Sequence, residues 1–144
     1  MDINQLLQSV ELFDGLSGKD LDEVAAICKQ RKYNAGEILA KEGEVGSELF
    51  VVSEGLVEVT VEEFTVPRVV VNLGAGQIVG EMSLVDRGPR SATVRAIHDT
   101  VVQVIQHDEF KDLCERNTGI GYLVMSNMAA DLSFKLRHRN LSEE

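Results

Sequence analysis

The sequence predicts a mainly β protein: a jelly-roll-like antiparallel β-barrel flanked by helices, in a single domain covering residues 1–144. Short β-branched runs recur between residues 37 and 105, and turns that contain glycine separate them. The chain holds twelve glycines but only two prolines, which is typical of a barrel or sandwich with many turns. Apolar residues before and after these runs follow helical spacing instead. A chain of 144 residues is long enough to bury a full hydrophobic core.

The N-terminal segment, residues 1–32, is predicted to be helical. Its apolar residues form two clusters with helical spacing, Leu6, Val10, Leu12 and Phe13, then Leu21, Val24 and Ile27. Ser17 is expected to cap the second helix, because its hydroxyl can accept a hydrogen bond from a backbone N–H of the first turn.

The barrel is expected over residues 33–107. Six strand-like runs are predicted, over residues 37–40, 48–52, 56–61, 68–73, 91–97 and 101–105. The C-terminal helices are expected over residues 108–140, with Asp108 as the N-cap of the first of them. A longer helix follows from about residue 118. The elements therefore run in the order helices, barrel, helices.

Residues 79–94 carry the most informative pattern of the chain. Gly80 opens a short helix, where bare N–H groups and the helix terminus favour an anion. Glu81 is an acceptor that suits a ribose hydroxyl, and Arg90 offers a planar fork that can pair with a phosphate through two hydrogen bonds. Together these groups describe a site for a cyclic nucleotide. The candidate ligand-binding residues are Gly80, Glu81, Met82, Ser83, Arg90 and Ser91.

This pattern resembles the phosphate-binding cassette of the cyclic nucleotide-binding domain family, which includes catabolite activators and kinase regulatory subunits. The spacing from Glu81 to Arg90 fits the family. Residues 33–39, 41–46, 49–59 and 73–79 resemble the family's first strand, the turn after it, the next hairpin and the approach to the cassette. The resemblance spans about residues 11–139. It implies a non-catalytic regulatory sensor that binds a cyclic nucleotide and signals through movement of the C-terminal helix.

The base preference depends on positions where this chain departs from its relatives. In catabolite activators a Thr-Ser pair on the last helix holds adenine, and Lys135 and Leu136 stand at those positions here. That route to base recognition is therefore in doubt. The alternatives on the same helix are Arg137, Arg139 and Asn140. Alanine at the position of Ser91 accompanies cyclic AMP in the family and threonine accompanies cyclic GMP, while the bacterial activator that reads cyclic AMP also has serine. We expect cyclic AMP to be favoured over cyclic GMP.

The last helix carries apolar residues on two sides. One seam contains Tyr122, Met125, Ala129, Leu132 and Leu136, and the other side contains Ile120, Leu123, Val124 and Phe134. One apolar face suffices to pack a helix on a barrel, so the second predicts a two-fold homodimer through this helix. The alternative is a helix sunk into a groove of its own domain.

Charge and targeting signals limit the partners and the compartment. The net charge of −10 argues against nucleic acid and anionic membranes as partners. The sequence shows no signal peptide and no membrane span, and Cys28 and Cys114 lack metal-binding spacing, so we expect two reduced thiols in a cytoplasmic protein. A helix-turn-helix is not visible before residue 144, so the signal is expected to pass through dimerisation or a downstream protein of unknown identity.

Two other classes of function compete with a sensor. A cupin-like enzyme would need clustered metal ligands, but His98, His107 and His138 show no HxH spacing. A hydrolase motif is also missing. The protein is therefore expected to be no enzyme and to hold no metal or cofactor besides its ligand. The second competitor is a domain that kept the fold, lost the ligand and serves as a dimeric interaction module.

Overall fold

The computed structural model describes residues 2–63 and 66–142. Helices α1 (Ile3–Gln8) and α2 (Gly18–Ala26) come first, with a 3-10 turn at Glu11–Phe13 between them. Eight strands follow: β1 (Lys29–Tyr33), β2 (Ile38–Ala40), β3 (Glu48–Glu54), β4 (Val57–Glu63), β5 (Val66–Leu73), β6 (Ile78–Val79), β7 (Thr93–Ala96) and β8 (Thr100–Gln106). A 3-10 helix at Glu81–Leu84 lies between β6 and β7. The helices α3 (His107–Arg116) and α4 (Thr118–Ser142) complete the described chain.

The strands form two four-stranded sheets in which every pair is antiparallel. One sheet has the order β1-β8-β3-β6 and the other has the order β2-β7-β4-β5. The predicted fold class, antiparallel β structure of the jelly-roll type with flanking helices, is confirmed.

Two hydrophobic cores lie on opposite faces of the first sheet. The ligand-side core fills the space between the sheets and consists of Phe50, Val52, Val57, Val79, Val94, Val102 and Val104. The helix-side core lies between the other face and the helices, and includes Leu49, Val51, Ile105, Phe110 and Ile120. Because successive strand residues point to opposite faces, β3 supplies Leu49 to one core and Phe50 to the other.

The expectation of helix throughout residues 1–32 is wrong at its C-terminal end. Helix α2 ends at Ala26, and Lys29–Tyr33 forms strand β1 at the edge of the first sheet. Four of its five residues are exposed, so the segment lacks the apolar alternation by which a strand is identified from sequence. Its main-chain pairing with β8 defines it as a strand. The two-residue strand β6, Ile78–Val79, is also absent from the predicted runs.

The predicted helix starts were right in one case and displaced in the other. The Ser17 hydroxyl accepts the backbone N–H of Asp20 at 3.1 Å, so the predicted N-cap is confirmed. Helix α3 begins at His107 with Gln106 as its N-cap, and Asp108 lies in the first turn instead. There Asp108 forms an ion pair with Arg87, so its carboxylate supports the cassette loop rather than capping the helix.

Helix α4 has its fully buried side chains in its first half. Its buried side chains among those described are Ile120, Val124 and Met128. Phe134, which was expected on the same packed face, is 60% exposed. In the predicted dimer seam, Met125 and Leu132 lie partly buried against the helix-side core. The other seam residues, Tyr122, Ala129 and Leu136, are exposed.

Both cysteines are free thiols, as expected from the sequence, and both are half-buried. Burial raises the pKa of the Cys28 thiol to about 12. Burial also raises the pKa of Cys114. Neither thiol is activated as a nucleophile.

Candidate functional site

The backbone of Arg90 is fixed where two loops meet. Its N–H donates to the carbonyl of Glu44 at 2.7 Å, and its own carbonyl accepts the N–H of Gly43 at 2.9 Å. The N–H of Gly46 donates to the carbonyl of Gly88 at 3.2 Å, so the loops at residues 43–46 and 88–90 are hydrogen-bonded along their length. Strand β7 begins at Thr93, two residues after the start of the predicted run, so Arg90 lies in the loop before the strand. The side chain of Arg90 therefore starts from a fixed point.

The guanidinium of Arg90 is half-buried and held by neutral groups. Its Nη1 donates to the carbonyl of Glu48 at 2.9 Å and to the Ser83 hydroxyl at 3.0 Å. Its Cζ lies 5.6 Å from the centroid of the Phe50 ring, a cation–π distance. Burial lowers the pKa of Arg90, but an arginine stays charged in proteins. The site thus keeps a positive charge whose position is set by the surrounding protein.

Two glycines leave the space that this guanidinium occupies. A Cβ at Gly46 would lie 2.0 Å from Arg90 Nε, and a Cβ at Gly80 would lie 2.5 Å from Arg90 Nη1. Gly80 also has a φ of +82°, a left-handed conformation that side chains disfavour. It precedes the 3-10 helix Glu81–Leu84, so the predicted glycine opening of a short helix is present. The cassette can close around Arg90 only because both positions lack a side chain.

Glu81 faces the last helix across the site. Its Oε1 lies 3.8 Å from Nζ of Lys135, which also pairs with Asp131 one turn earlier at 2.9 Å. The hydrogen bond from Lys135 to Asp131 and the charge of Glu81 raise the pKa of Lys135. The Glu81 side chain is 25% exposed and that of Lys135 is 60% exposed, so the pair lies at the mouth of the site. Through this contact the cassette meets α4.

A cavity of about 320 Å³ lies between Arg90 and Glu81. Four of the predicted site residues line it: Gly80, Glu81, Arg90 and Ser91. Its remaining walls are mostly apolar and include Ala40, Phe50, Val59, Val71, Leu73 and Val94, with Lys135 at the mouth. One fixed cation, one carboxylate and apolar walls suit a ligand that has an anionic end, hydroxyl groups and a flat ring.

A larger cavity of about 650 Å³ lies on the other side of Lys135. It is bounded by residues 9–14, the turn before β6 and the middle of α4. Its charged lining consists of Glu11, Asp14, Glu81, Asp131 and Lys135, so carboxylates dominate it. The smaller cavity holds Arg90 and is the one suited to an anion.

The other two predicted site residues play different parts. Ser83 is buried, and its hydroxyl accepts a hydrogen bond from Arg90. Its backbone N–H donates to the Gly80 carbonyl at 2.9 Å. Met82 is 46% exposed, and its side chain is not in the described lining of the cavity.

Sequence reasoning missed several groups that build the site. Phe50 and the carbonyl of Glu48 hold Arg90, Gly46 makes room for it, and Lys135 meets Glu81. Among these residues, the sequence singled out Lys135 alone, because it departs from the Thr-Ser pair of catabolite activators at a position that the family resemblance makes ligand-facing. The others depend on the contact between distant loops.

The described ranges contain neither a cluster of metal ligands nor a helix suited to a membrane. Within residues 2–63 and 66–142, no group of three or more His, Cys, Asp or Glu side chains could hold a metal ion. No helix of those ranges combines the length and the apolar composition needed to cross a bilayer.

Comparison with known proteins identifies the family. The profile of the cyclic nucleotide-binding domain matches residues 30–117. The chain belongs to the cyclic nucleotide-binding domain family. It is 32% identical over 131 residues to the cyclic AMP receptor protein of Thermus thermophilus, covering 90% of this chain and 59% of that relative. It is also 40% identical over 92 residues to a cyclic nucleotide-gated potassium channel of Rhizobium etli, covering 64% of this chain and 24% of the channel.

Solved structures of cyclic nucleotide-binding domains agree with this assignment. The crystal structure of the Thermus thermophilus catabolite activator protein superposes with a TM-score of 0.82 at 32% identity, covering 92% of this chain and 61% of that one. A cyclic nucleotide-binding domain from Methylobacillus flagellatus gives a TM-score of 0.82 at 25% identity and covers 99% of this chain and 82% of that one. This cyclic nucleotide-binding domain spans less than two thirds of its Thermus relative's length and about a quarter of the channel's.

Proposed function

We propose that this domain is a non-catalytic sensor whose cyclic nucleotide binds in the 320 Å³ cavity. The observation that carries the proposal is the fixed, half-buried charge of Arg90, which faces the carboxylate of Glu81 across an apolar cavity. The cyclic phosphate binds Arg90, with the backbone near Gly80 and the Ser91 hydroxyl beside it. The ribose 2′-hydroxyl donates to Glu81, and the base lies against the apolar walls.

Cyclic AMP is proposed as the preferred ligand over cyclic GMP. Ser91 lines the cavity beside Arg90, at the position where, by the family resemblance, the bacterial activator that reads cyclic AMP also has serine. The Thermus relative that matches most of this chain is named a cyclic AMP receptor. A preference for cyclic GMP in a direct titration would overturn this part of the proposal alone.

The signal is proposed to pass through α4. Lys135 links this helix to Glu81, the residue that would bind the ribose, so a ligand that changes the surroundings of Glu81 also changes the contact with α4. A ligand can shift a conformational equilibrium only through contacts that differ between the states, and this contact is one that a ligand alters. The recipient of the signal is proposed to be a downstream protein.

A two-fold homodimer through α4 is also proposed, together with a cytoplasmic location. Tyr122 and Leu136 are 77% and 61% exposed, and Ala129 between them leaves room for a second helix to approach. The partial burial of Met125 and Leu132 makes this exposed strip narrower than the seam predicted from the sequence. A dimer would bury the strip without disturbing the helix-side core.

Isothermal titration calorimetry with cyclic AMP and cyclic GMP tests the proposal. We expect the wild type to bind and Arg90→Lys to lose about 30-fold or more in affinity, because lysine cannot reproduce the fork. Arg87→Lys is the matched control, since that arginine lies in the same loop and pairs only at the surface with Asp108. Failure of the wild type to bind either nucleotide at millimolar concentration would favour the interaction module without a ligand.

A further inference from the structure

A polar cluster lies at the end of the first sheet, on the face that carries the ligand-side core. Glu48 lies two residues before Phe50 on β3, and Arg31 lies two residues before Tyr33 on β1, so each pair points to the same face. The register of β3 and β8 places Glu48 opposite Gln106. Three strands therefore bring an arginine, a glutamate and a glutamine together beside the Arg90 site.

The carboxylate of Glu48 is held by three hydrogen bonds within this cluster. Arg31 Nη2 donates to Oε2 at 2.8 Å and Arg31 Nη1 donates to Oε1 at 3.3 Å, in the fork geometry of a two-point pair. Gln106 Nε2 donates to Oε2 at 2.6 Å. Arg31 Nη1 also donates to the Tyr33 hydroxyl at 3.0 Å, which fixes the guanidinium. Hydrogen bonding from Arg31 lowers the pKa of Glu48, so this carboxylate is ionised at neutral pH.

The position of Glu48 creates a conflict with anion binding. Its backbone carbonyl accepts the hydrogen bond that holds Arg90. Its negative side chain acts on the same guanidinium, because the charge of Glu48 raises the pKa of Arg90 against the effect of burial. An unpaired carboxylate there would compete for Arg90 and repel an incoming phosphate. The Glu48 side chain is only 21% exposed, so water screens it poorly.

We propose that Arg31 is a positioning residue for anion binding, which neutralises Glu48 and so leaves the charge of Arg90 for a phosphate. This inference rests on the proposed function. Arg31 acts through Glu48 and is not in the described lining of the cavity. Removing Arg31 therefore changes affinity through an electrostatic effect, and removing the Glu48 charge as well cancels that effect.

A double-mutant cycle tests the inference by titrating cyclic AMP into four proteins: the wild type, Arg31→Met, Glu48→Gln and the double variant. Methionine keeps the apolar stem of Arg31 without its charge. We expect Arg31→Met to bind on the order of tenfold more weakly. Glu48→Gln removes the side-chain charge but keeps the backbone carbonyl that holds Arg90, so this variant and the double variant should bind within about twofold of the wild type. Lys29→Met is the matched control, because Lys29 lies on the same strand but pairs with Glu109 at 3.2 Å.

The outcomes separate this inference from the function on which it rests. Wild-type protein that binds neither cyclic AMP nor cyclic GMP overturns both. Binding by the wild type with an unchanged Arg31→Met overturns the inference alone. A double variant as weak as Arg31→Met shows that Arg31 acts on the ligand or the fold directly, which also overturns it. If Arg31→Met fails to fold, Glu48→Gln still tests the inference. Weaker binding by that variant would mean that the Glu48 charge assists anion binding, which overturns the inference.

Discussion

Substituting Gly46→Ala is expected to abolish tight ligand binding while leaving the domain folded. The new Cβ would lie 2.0 Å from Arg90 Nε, 2.4 Å from Cζ and 2.6 Å from Cδ, all atoms of one flexible side chain. An ordinary contact needs about 3.5 Å, so the guanidinium must retreat by about 1.5 Å. Gly46 does not have a positive φ, so alanine brings no backbone strain there. The effect of the substitution therefore falls on Arg90.

The size of the effect follows from the hydrogen bonds that Arg90 would lose. Its bonds to the Glu48 carbonyl and the Ser83 hydroxyl, at 2.9 and 3.0 Å, would lengthen beyond the limit of a hydrogen bond. The free energy of unfolding should fall by only about 1–2 kcal/mol, because each such bond contributes about 0.5–1.5 kcal/mol net. Affinity for cyclic AMP should fall by about 30-fold or more, since the phosphate loses a positioned partner at a cost of about 2–5 kcal/mol.

Calorimetric titration and urea unfolding of the same samples measure both quantities. Gly18→Ala is the matched control, because a Cβ there meets nothing within 4 Å, and that variant should bind like the wild type. A Gly46→Ala protein that binds cyclic AMP within twofold of the wild type would show that the ligand does not depend on this position of Arg90. An unfolded Gly46→Ala protein would show that the loop at residues 43–46 supports the fold more than the site.

Three further predictions concern α4 and Glu48. Leu136→Glu should give a folded monomer, measured by sedimentation velocity, where the wild type is a dimer. Val66→Glu, at an equally exposed position on β5, should remain a dimer. A wild-type monomer at high micromolar concentration would contradict the dimer. Lys135→Met should speed amide exchange in the second half of α4 by up to about fivefold, because an exposed ion pair contributes at most about 1 kcal/mol. Unchanged exchange, or an equal effect of the control Lys111→Met, would argue against a link between α4 and Glu81 through Lys135. Hydrogen bonding lowers the folded pKa of Glu48, so its stabilisation is present above the ordinary value of 4.5 and is lost as the pH falls through the lower folded value. Acid titrations of unfolding should therefore show the wild type and Glu48→Gln converging at low pH, and a constant difference would contradict the shift.

The sequence predicted the fold class because most strands of this domain alternate or bury apolar residues between turns. It missed β1, since Lys29–Tyr33 is polar and its pairing with β8 involves main-chain groups that every residue possesses. It also misplaced Phe134, because helical periodicity shows which residues share a face but not which part of that face the rest of the domain covers.

The candidate site could be predicted only where its residues lie close together in the chain. The cassette from Gly80 to Ser91 is one continuous segment, so a motif describes it. The groups that hold Arg90 include Phe50 and the Glu48 carbonyl, which lie 40 and 42 residues before it in the chain. Their part in the site depends on pairing between distant loops, which a single sequence does not display.

Strands β3 and β8 separate the two hydrophobic cores, and this arrangement constrains how the protein can change over evolution. Leu49 and Phe50 are neighbours on one backbone and both are fully buried, each in a different core. A larger side chain on either face cannot be relieved by shifting the strand, because the other face is close-packed. Substitutions that introduce larger side chains along β3 are therefore expected to require compensating changes among the helices, whereas exposed residues of β5 outside the cavity, such as Val66 and Val69, can vary alone.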